Sequence, residues 1–332
     1  MAQGRWRYLV GRLLQSVLVL WVIVTILFLI FRLAPGNPLV AYIDPTFTEE
    51  QQEALLRQFG LDKPLWVQYF VYLGNLLRGE LGQSFFYRDS VAELVWEAFP
   101  NTVFLTGVAL ILAYVFGVIG GVIMAWQRGT WLEKTGLIFT LMTRAAPEFW
   151  VGMIALTIFS FSLGWFPSSG ATSPGTVYAS ELDKILSLDF WHHLALPALT
   201  MALYLHGLPL LLMRNNMLDV LEEDFIIMAR MKGLSEWRIM LRHAARNALL
   251  PVVTAMALGV GYSIGGNVVI ENVFGWPGIG RLLVRAVSSS DYPLAQGAFF
   301  LIAVVMVVMN FVADLLYGLL DPRVSTARRA GG

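Results

Sequence analysis

Stretches of roughly twenty apolar residues recur along this chain. They run at about Leu13–Phe31, Thr102–Trp126, Thr135–Phe166, Leu194–Met213, Leu249–Ile270 and Leu294–Leu319. A helix needs about 20 such residues to cross the hydrocarbon core of a bilayer. Inside that core only helices and closed barrels satisfy their own backbone hydrogen bonds. Composition points the same way: 57% of the 332 residues are hydrophobic and 14% are charged, whereas a soluble domain carries about 25% charged residues. One soluble core cannot absorb that much apolar surface. Disorder, fibrous repeats and disulfide scaffolds are excluded. The absence of cysteine excludes Cys-ligated zinc, iron–sulfur clusters and thiol catalysis. A formal net charge of zero argues against a nucleic-acid binder. The expected fold class is an all-α polytopic membrane protein with about six transmembrane helices.

The first apolar stretch is longer than the 7–15 residues typical of a signal peptide. Arg32 and Pro35-Gly36 follow it instead of a small-residue cleavage site, so it reads as an uncleaved helix. Lys and Arg set the orientation. Three precede the first span, two lie between the second and third, six between the fourth and fifth, and three follow the sixth. Only seven lie on the other side. Positive charge marks the cytoplasm, so both termini are expected inside. Pro147 interrupts the third stretch, which is either one tilted, kinked helix or a short re-entrant piece followed by a span. Basic residues at both ends of the chain favour an even number of crossings, and the third stretch is then counted once.

The expected organisation is a transmembrane helix over 1–32, an external loop region over 33–100, a five-helix core over 101–321 and a cytoplasmic tail over 322–332. The external region holds nine acids against four bases. Thr48-Glu49-Glu50-Gln51 has the form of a capping box, and Trp66 to Leu77 forms a second amphipathic run. The region is either a lid on the outer rim or a dock for an external partner.

The most informative segment is the polar one over 215–250. Leu218, Leu221, Phe225 and Met228 recur at helical spacing. Gly233 is placed to end that helix, since glycine takes the left-handed conformation that closes helices. Ser235 then caps a second helix carrying Trp237, Met240, Leu241 and Ala244. This hairpin is too polar to cross the membrane and too apolar on one face to stay exposed. It packs on its own bundle or fits a cytoplasmic partner's groove.

Here the chain resembles a known family. Ala229-Arg-Met-Lys-Gly233-Leu-Ser and Arg242-His-Ala-Ala-Arg-Asn247-Ala-Leu-Leu-Pro251 are similar to the coupling loop of ATP-binding-cassette importer permeases of the dipeptide/oligopeptide/nickel branch. Further matches follow in order: Pro35-Gly-Asn-Pro38, Gly60-Leu-Asp-Lys-Pro-Leu, Gly79-Glu-Leu-Gly-Gln-Ser84, Gly164-Trp-Phe-Pro, Leu196-Pro-Ala-Leu, Glu271-Asn-Val-Phe-Gly-Trp-Pro-Gly-Ile-Gly280, Asp291-Tyr-Pro, Asn310-Phe, Asp314-Leu-Leu-Tyr and Asp321-Pro-Arg323. The long first external loop resembles the first of the two permease types this branch pairs. One departure stands in the loop. Where these importers carry Glu-Ala-Ala before the glycine, this chain has Ile227-Met228-Ala229.

The resemblance implies a type I ABC importer-like transmembrane domain in a bacterial or archaeal plasma membrane. It implies a second homologous permease, two cytoplasmic ATP-binding subunits and an external solute-binding protein as partners. ATP and Mg would bind those ATPase subunits, with no cofactor on this chain. The coupling residues it implies are Ala229, Arg230, Lys232, Gly233, Leu234, Ser235, Arg242, Asn247 and Pro251. Ala229 would let the ATPase surface approach, Arg230, Lys232 and Arg242 would pair with its acids, and Pro251 would fix the entry into the fifth span. Its substrates span dipeptides, oligopeptides, nickel chelates, opines and glutathione, and this sequence does not choose among them.

A phosphate-binding loop needs Gly-Lys-Ser/Thr, but Lys63, Lys134, Lys184 and Lys232 follow Asp, Glu, Asp and Met. Energy must therefore come from another subunit or from an ion gradient. Gly261-Tyr-Ser263-Ile-Gly265 matches a nucleophile-elbow pattern, yet lies in an apolar helical stretch where no strand-to-helix turn is expected. Gly261 and Gly265, like Gly117 and Gly121, suit close helix packing. No catalytic or metal-binding residue is assigned, and His206 reads as a packing residue. Arg144 and Glu148 lie four apart in a membrane stretch, as an ion pair at the Pro147 kink or as pathway lining. Gly261, Gly265, Asn267 and Glu271 complete the pathway candidates. The competing reading is a gradient-driven secondary transporter, with Arg144, Glu148 or Asp314 moving protons or ions.

Overall fold

The computed structural model describes residues 2–33, 62–263 and 268–320. Among these residues the regular structure is helical, apart from one isolated antiparallel bridge between Gln83 and Ser90. The expected helix at Thr48 and the tail 322–332 lie outside the described residues. The chain divides into two units, residues 1–102 with 277–307 and residues 103–276 with 308–332.

In the first unit, α1 (Ala2–Leu33) is the uncleaved apolar helix. The amphipathic run becomes α2 (Leu65–Arg78), closed by Gly79 at φ +77°. Thr25 of α1 lies 2.7 Å from the Tyr69 hydroxyl of α2. The Phe28 ring meets Tyr69 edge-on at 5.2 Å and stacks on Tyr72 at 5.7 Å. α3 (Val91–Trp126) begins in this unit and runs on into the other. α12 (Ile279–Ser288) is amphipathic, burying Ile279, Leu283 and Ala286. α13 (Tyr292–Leu320) adds Leu294, Ala295 and Ala298 to the same core, with Val91 and Val95.

In the second unit, α4 (Trp131–Ala145) and α5 (Glu148–Ala155) come from the third apolar stretch. α5 continues as a π-helix over Leu156–Ser162. The two arms bend by 103°, the geometry of a broken span or a re-entrant loop. The cause is Pro147, which lacks an N–H and drives the preceding residue out of the helical region: Ala146 is extended at φ −70°, ψ 137°. α6 (Glu181–Leu186) precedes α7 (Leu188–Leu205) and α8 (Gly207–Leu221). The last two form the fourth apolar stretch, bent by 44° at His206. There His206 Nδ1 lies 2.5 Å from the Leu203 carbonyl, which fits a packing role. α9 (Asp224–Met231), α10 (Arg246–Ser263) and α11 (Val268–Val273) complete the unit.

Three helices of the described residues are long and apolar enough to cross a membrane, or up to five if each bent pair counts as one span. The expected fifth span, Leu249–Ile270, falls on α10 and α11 and on residues 264–267, which lie outside the described part. Glycines seat α3 against α8. A Cβ on Gly117 would lie 2.8 Å from Pro209 Cγ and 2.9 Å from the His206 carbonyl. On Gly121 it would lie 2.6 Å from the Leu210 carbonyl and 2.7 Å from Met213 Cβ. Close packing of small residues is the use expected for this spacing.

Candidate functional site

The hairpin over 215–250 is built in more pieces than its periodicity suggests. α8 stops at Leu221, and Glu223 is extended at ψ 145° before α9 begins. Leu218 and Leu221 therefore belong to one helix, and Phe225 and Met228 to the next. Gly233 takes φ +71° and closes α9, its N–H donating to the Arg230 carbonyl at 2.9 Å. A Cβ there would meet nothing within 4 Å, so the glycine is required by backbone conformation and not by space. Ser235 occupies the cap position of the helical turn Glu236–Arg238, but its hydroxyl makes no capping bond. That turn runs into a π-helix over Ile239–Ala245 and then into α10. Pro251 consequently lies inside α10, six residues in and two residues after Leu249, where the expected fifth span begins.

The hairpin has two apolar faces. Ile226, Ala229, Ile239, Met240, Ala244 and Ala248 are buried with Val122, Ala125, Met213 and Met217. Phe225, Met228, Met231, Trp237 and Leu241 stay exposed, Met231 at 77% and Trp237 at 69%. Ala229 thus lets α9 close onto its own bundle, a correction to the expectation that it faces a partner. Arg230, Lys232, Gly233, Ser235, Arg242 and Asn247 are exposed and Leu234 is half-buried. Arg230 Nε pairs with Glu236 Oε1 at 3.3 Å across the Gly233 turn, while Asn247 Nδ2 donates to the His243 carbonyl at 2.7 Å. At the root, Asn216 Nδ2 donates to the Ala248 carbonyl at 3.3 Å, linking α8 to α10. The outer surface therefore presents exposed apolar side chains among both bases (Arg230, Lys232, Arg242) and acids (Glu222, Glu223, Asp224, Glu236), on a base fixed to the bundle.

The pathway candidates are dispersed. Because the chain breaks at Ala146-Pro147, Arg144 and Glu148 do not share a helix face. Arg144 lies in the last turn of α4, and its aliphatic stem covers Gly207, where a Cβ would lie 2.5 Å from Arg144 Cδ. Glu148 opens α5. Glu271 is fully buried in α11, and its carbonyl accepts the Trp276 N–H at 2.8 Å. α5 and α11 pack together where Gly152 meets Val273 and Phe274, so Glu148 and Glu271 lie on neighbouring helices. Gly261 falls in the last turn of α10, and Gly265 and Asn267 lie outside the described residues. Among the described residues no group of three or more His, Asp or Glu side chains gathers as a metal site.

Some organising contacts escaped the sequence reading, which names Ser84, Pro277 and Asp291 only as parts of family-like motifs. Asp291 is fully buried in the first unit. Its carboxylate accepts the Ser84 hydroxyl at 2.5 Å, the Phe86 N–H at 3.0 Å and the Leu294 N–H at 3.2 Å. Thr102 Oγ1 accepts the Ile279 N–H at 2.8 Å, and Asn101 Nδ2 donates to the Pro277 carbonyl at 2.9 Å. The stretches around Ser84, Asn101, Pro277 and Asp291 are thus joined across long sequence separations. In the second unit, Glu133 pairs with Arg214. No spacing in the sequence announces any of these partners.

Comparison with known proteins agrees with this architecture. Residues 117–326 match the family model described as binding-protein-dependent transport system inner membrane component. Residues 5–106 match the N-terminal model of the same membrane component. The chain is 38% identical over 320 residues to the oligopeptide transport system permease protein AppB of Bacillus subtilis, covering 96% of this chain and 98% of the relative. It is 39% identical over 314 residues to the di/tripeptide transport system permease protein DppB of Pseudomonas aeruginosa, covering 91% and 93%. It is 34% identical over 317 residues to the glutathione transport system permease protein GsiC of Escherichia coli, covering 96% and 98%. With both models matched along nearly its whole length and relatives of this kind, the chain belongs to the family of inner-membrane permease components of binding-protein-dependent, ATP-binding-cassette transport systems.

Proposed function

We propose that this chain forms, with a second homologous permease, the membrane pathway by which small peptides or a chemically related solute are imported. Two cytoplasmic ATP-binding subunits drive it by closing on the hairpin around Gly233, and an external solute-binding protein delivers the cargo. ATP and Mg bind those subunits; this chain holds no Gly-Lys-Ser/Thr. The charge bias of the loops supports an orientation with both termini in the cytoplasm. The substrate class is supported by the printed functions of the relatives, for oligopeptides, di- and tripeptides and glutathione.

The observation that carries the reading is the two-faced hairpin. One face is buried in the chain's own bundle, and the other presents Phe225, Met228, Met231 and Trp237 beside Arg230, Lys232 and Arg242. An exposed apolar helix face fits an apolar groove, which is the helix-in-groove mode of recognition. Purification from the native membrane in mild detergent tests it. A second permease and ATP-binding subunits are expected to accompany the chain. Gly233→Asp is expected to lose the ATPase subunits or to uncouple them while leaving the chain folded, since Asp tolerates positive φ better than most residues and a Cβ there has open space. A Gly233→Asp chain that assembles and transports like the parent overturns the reading.

A further inference from the structure

The turn between α3 and α4 is tied to α8 by a buried ion pair outside the hairpin. Glu133 stands at the third position of α4, and one of its carboxylate oxygens accepts the Gly129 N–H at 2.6 Å. The other accepts Arg214 Nε at 2.9 Å and also pairs with Nη2. Arg214 Nη1 donates to Asn215 Oδ1 at 2.9 Å. The Arg214 and Glu133 side chains are 19% and 7% exposed. Gly129 holds φ +84° with nothing near a would-be Cβ, so conformation alone requires the glycine that aims this N–H at Glu133. A second pair, Arg128 to Glu222 at 3.1 Å, joins the same turn to the end of α8, but its side chains are 63% and 74% exposed.

The two pairs differ in kind. An exposed pair contributes little to stability and is screened by salt. A buried pair is seldom better than apolar packing for stability, yet losing one partner strands a charge. What a two-donor arginine contact adds is a fixed orientation. Arg214 lies on α8 directly before the hairpin, two helical turns from the end of that helix. On the same two elements, Gly117 and Gly121 bring the backbone of α3 against α8. The contact is thus fixed by close backbone approach and by a directional ionic clamp.

We propose that Glu133 and Arg214 are positioning residues that make α3, its turn into α4 and α8 move as one body. A displacement of the hairpin is then carried into α3 and α4, and is not absorbed by bending at the end of α8. The proposal rests on the reading that the ATPase subunits dock on the hairpin.

Hydrogen exchange of the purified complex, with and without ATP and vanadate, tests it without knowing the solute. In the parent complex, nucleotide is expected to change exchange both in the hairpin, over residues 224–233, and in the turn, over residues 127–134. In Glu133→Gln the hairpin response is expected to remain. The turn response is expected to be largely lost. Arg214→Lys keeps the charge and is expected to retain part of the turn response, which a simple loss of folding would not produce. Arg128→Gln, which removes the exposed pair from outside the hairpin, is expected to change neither response. Equal turn responses in the parent, Glu133→Gln and Arg214→Lys overturn the clamp and leave the docking reading intact. A complex that carries no ATPase subunit, or whose hairpin never responds to nucleotide, overturns the docking reading and this proposal with it.

Discussion

At the scale of single residues, the structure turns on groups whose importance comes from what they touch. Asp291 accepts three hydrogen bonds in a fully buried position. Asp291→Ala is expected to destabilise the purified protein by about 2–4 kcal/mol, because the Ser84 hydroxyl and the Phe86 N–H lose their acceptor. Asp291→Asn should rescue little. An amide offers one acceptor atom where the carboxylate offers two, and Tyr87 N–H already donates to Ser84 Oγ at 3.0 Å. Thermal unfolding followed by tryptophan fluorescence reads both variants. Gly121 makes the opposite kind of demand, for space. Gly121→Val would push side-chain atoms into the Leu210 carbonyl and Met213. A loss of about 1–3 kcal/mol is expected, typical of overpacking. Gly107, where a Cβ meets nothing within 4 Å, is the control that should tolerate alanine.

At the scale of elements, two breaks decide the architecture. Pro147 was legible in the sequence as an interruption. Its consequence, a 103° bend that separates Arg144 from Glu148, was not. A proline says that a helix stops, but the packing of the next segment sets the direction in which the chain resumes. The hairpin shows a related limit. Periodicity marks α9 as apolar, but Ile226 and Ala229 on one face compete with Phe225, Met228 and Met231 on the other. Only contact with Met213, Met217 and Ile239 selects the buried face. The two faces should respond differently to substitution. Ile226→Ala is expected to cost about 2–5 kcal/mol of stability, as for other buried aliphatic truncations. Met231→Glu is expected to leave the unfolding temperature unchanged and to reduce the ATPase subunits recovered with the chain. If both variants lower stability equally, the assignment of faces is wrong.

At the scale of the whole molecule, the orientation is open to direct test because the chain has no cysteine. Single cysteines can therefore be introduced at exposed sites without background. Ser235→Cys in the hairpin is expected to react with a membrane-impermeant maleimide only from the cytoplasmic side. Ser180→Cys, at the start of α6, is expected to react only from the opposite side. Labelling of both from one side contradicts the orientation drawn from the basic residues. The same experiment bears on the crossing number, since these two sites are separated by the α7–α8 pair with its 44° bend.

The sequence by itself determined the class of the molecule, the presence of several long apolar helices, the polar hairpin and the glycine at its turn. These follow from one-dimensional quantities: the length of apolar runs, the distribution of charge and the conformational freedom of single residues. Tertiary structure alone decided which acids and bases meet. Glu133 and Arg214 are 81 positions apart and Ser84 and Asp291 are 207 apart, and no local pattern encodes such separations. It also moved Ala229 from the outer surface to the core. The physical reason is common to all of these. Hydrophobicity and propensity act along the chain, but buried ion pairs, the choice between two apolar faces and close backbone contact depend on which helices become neighbours.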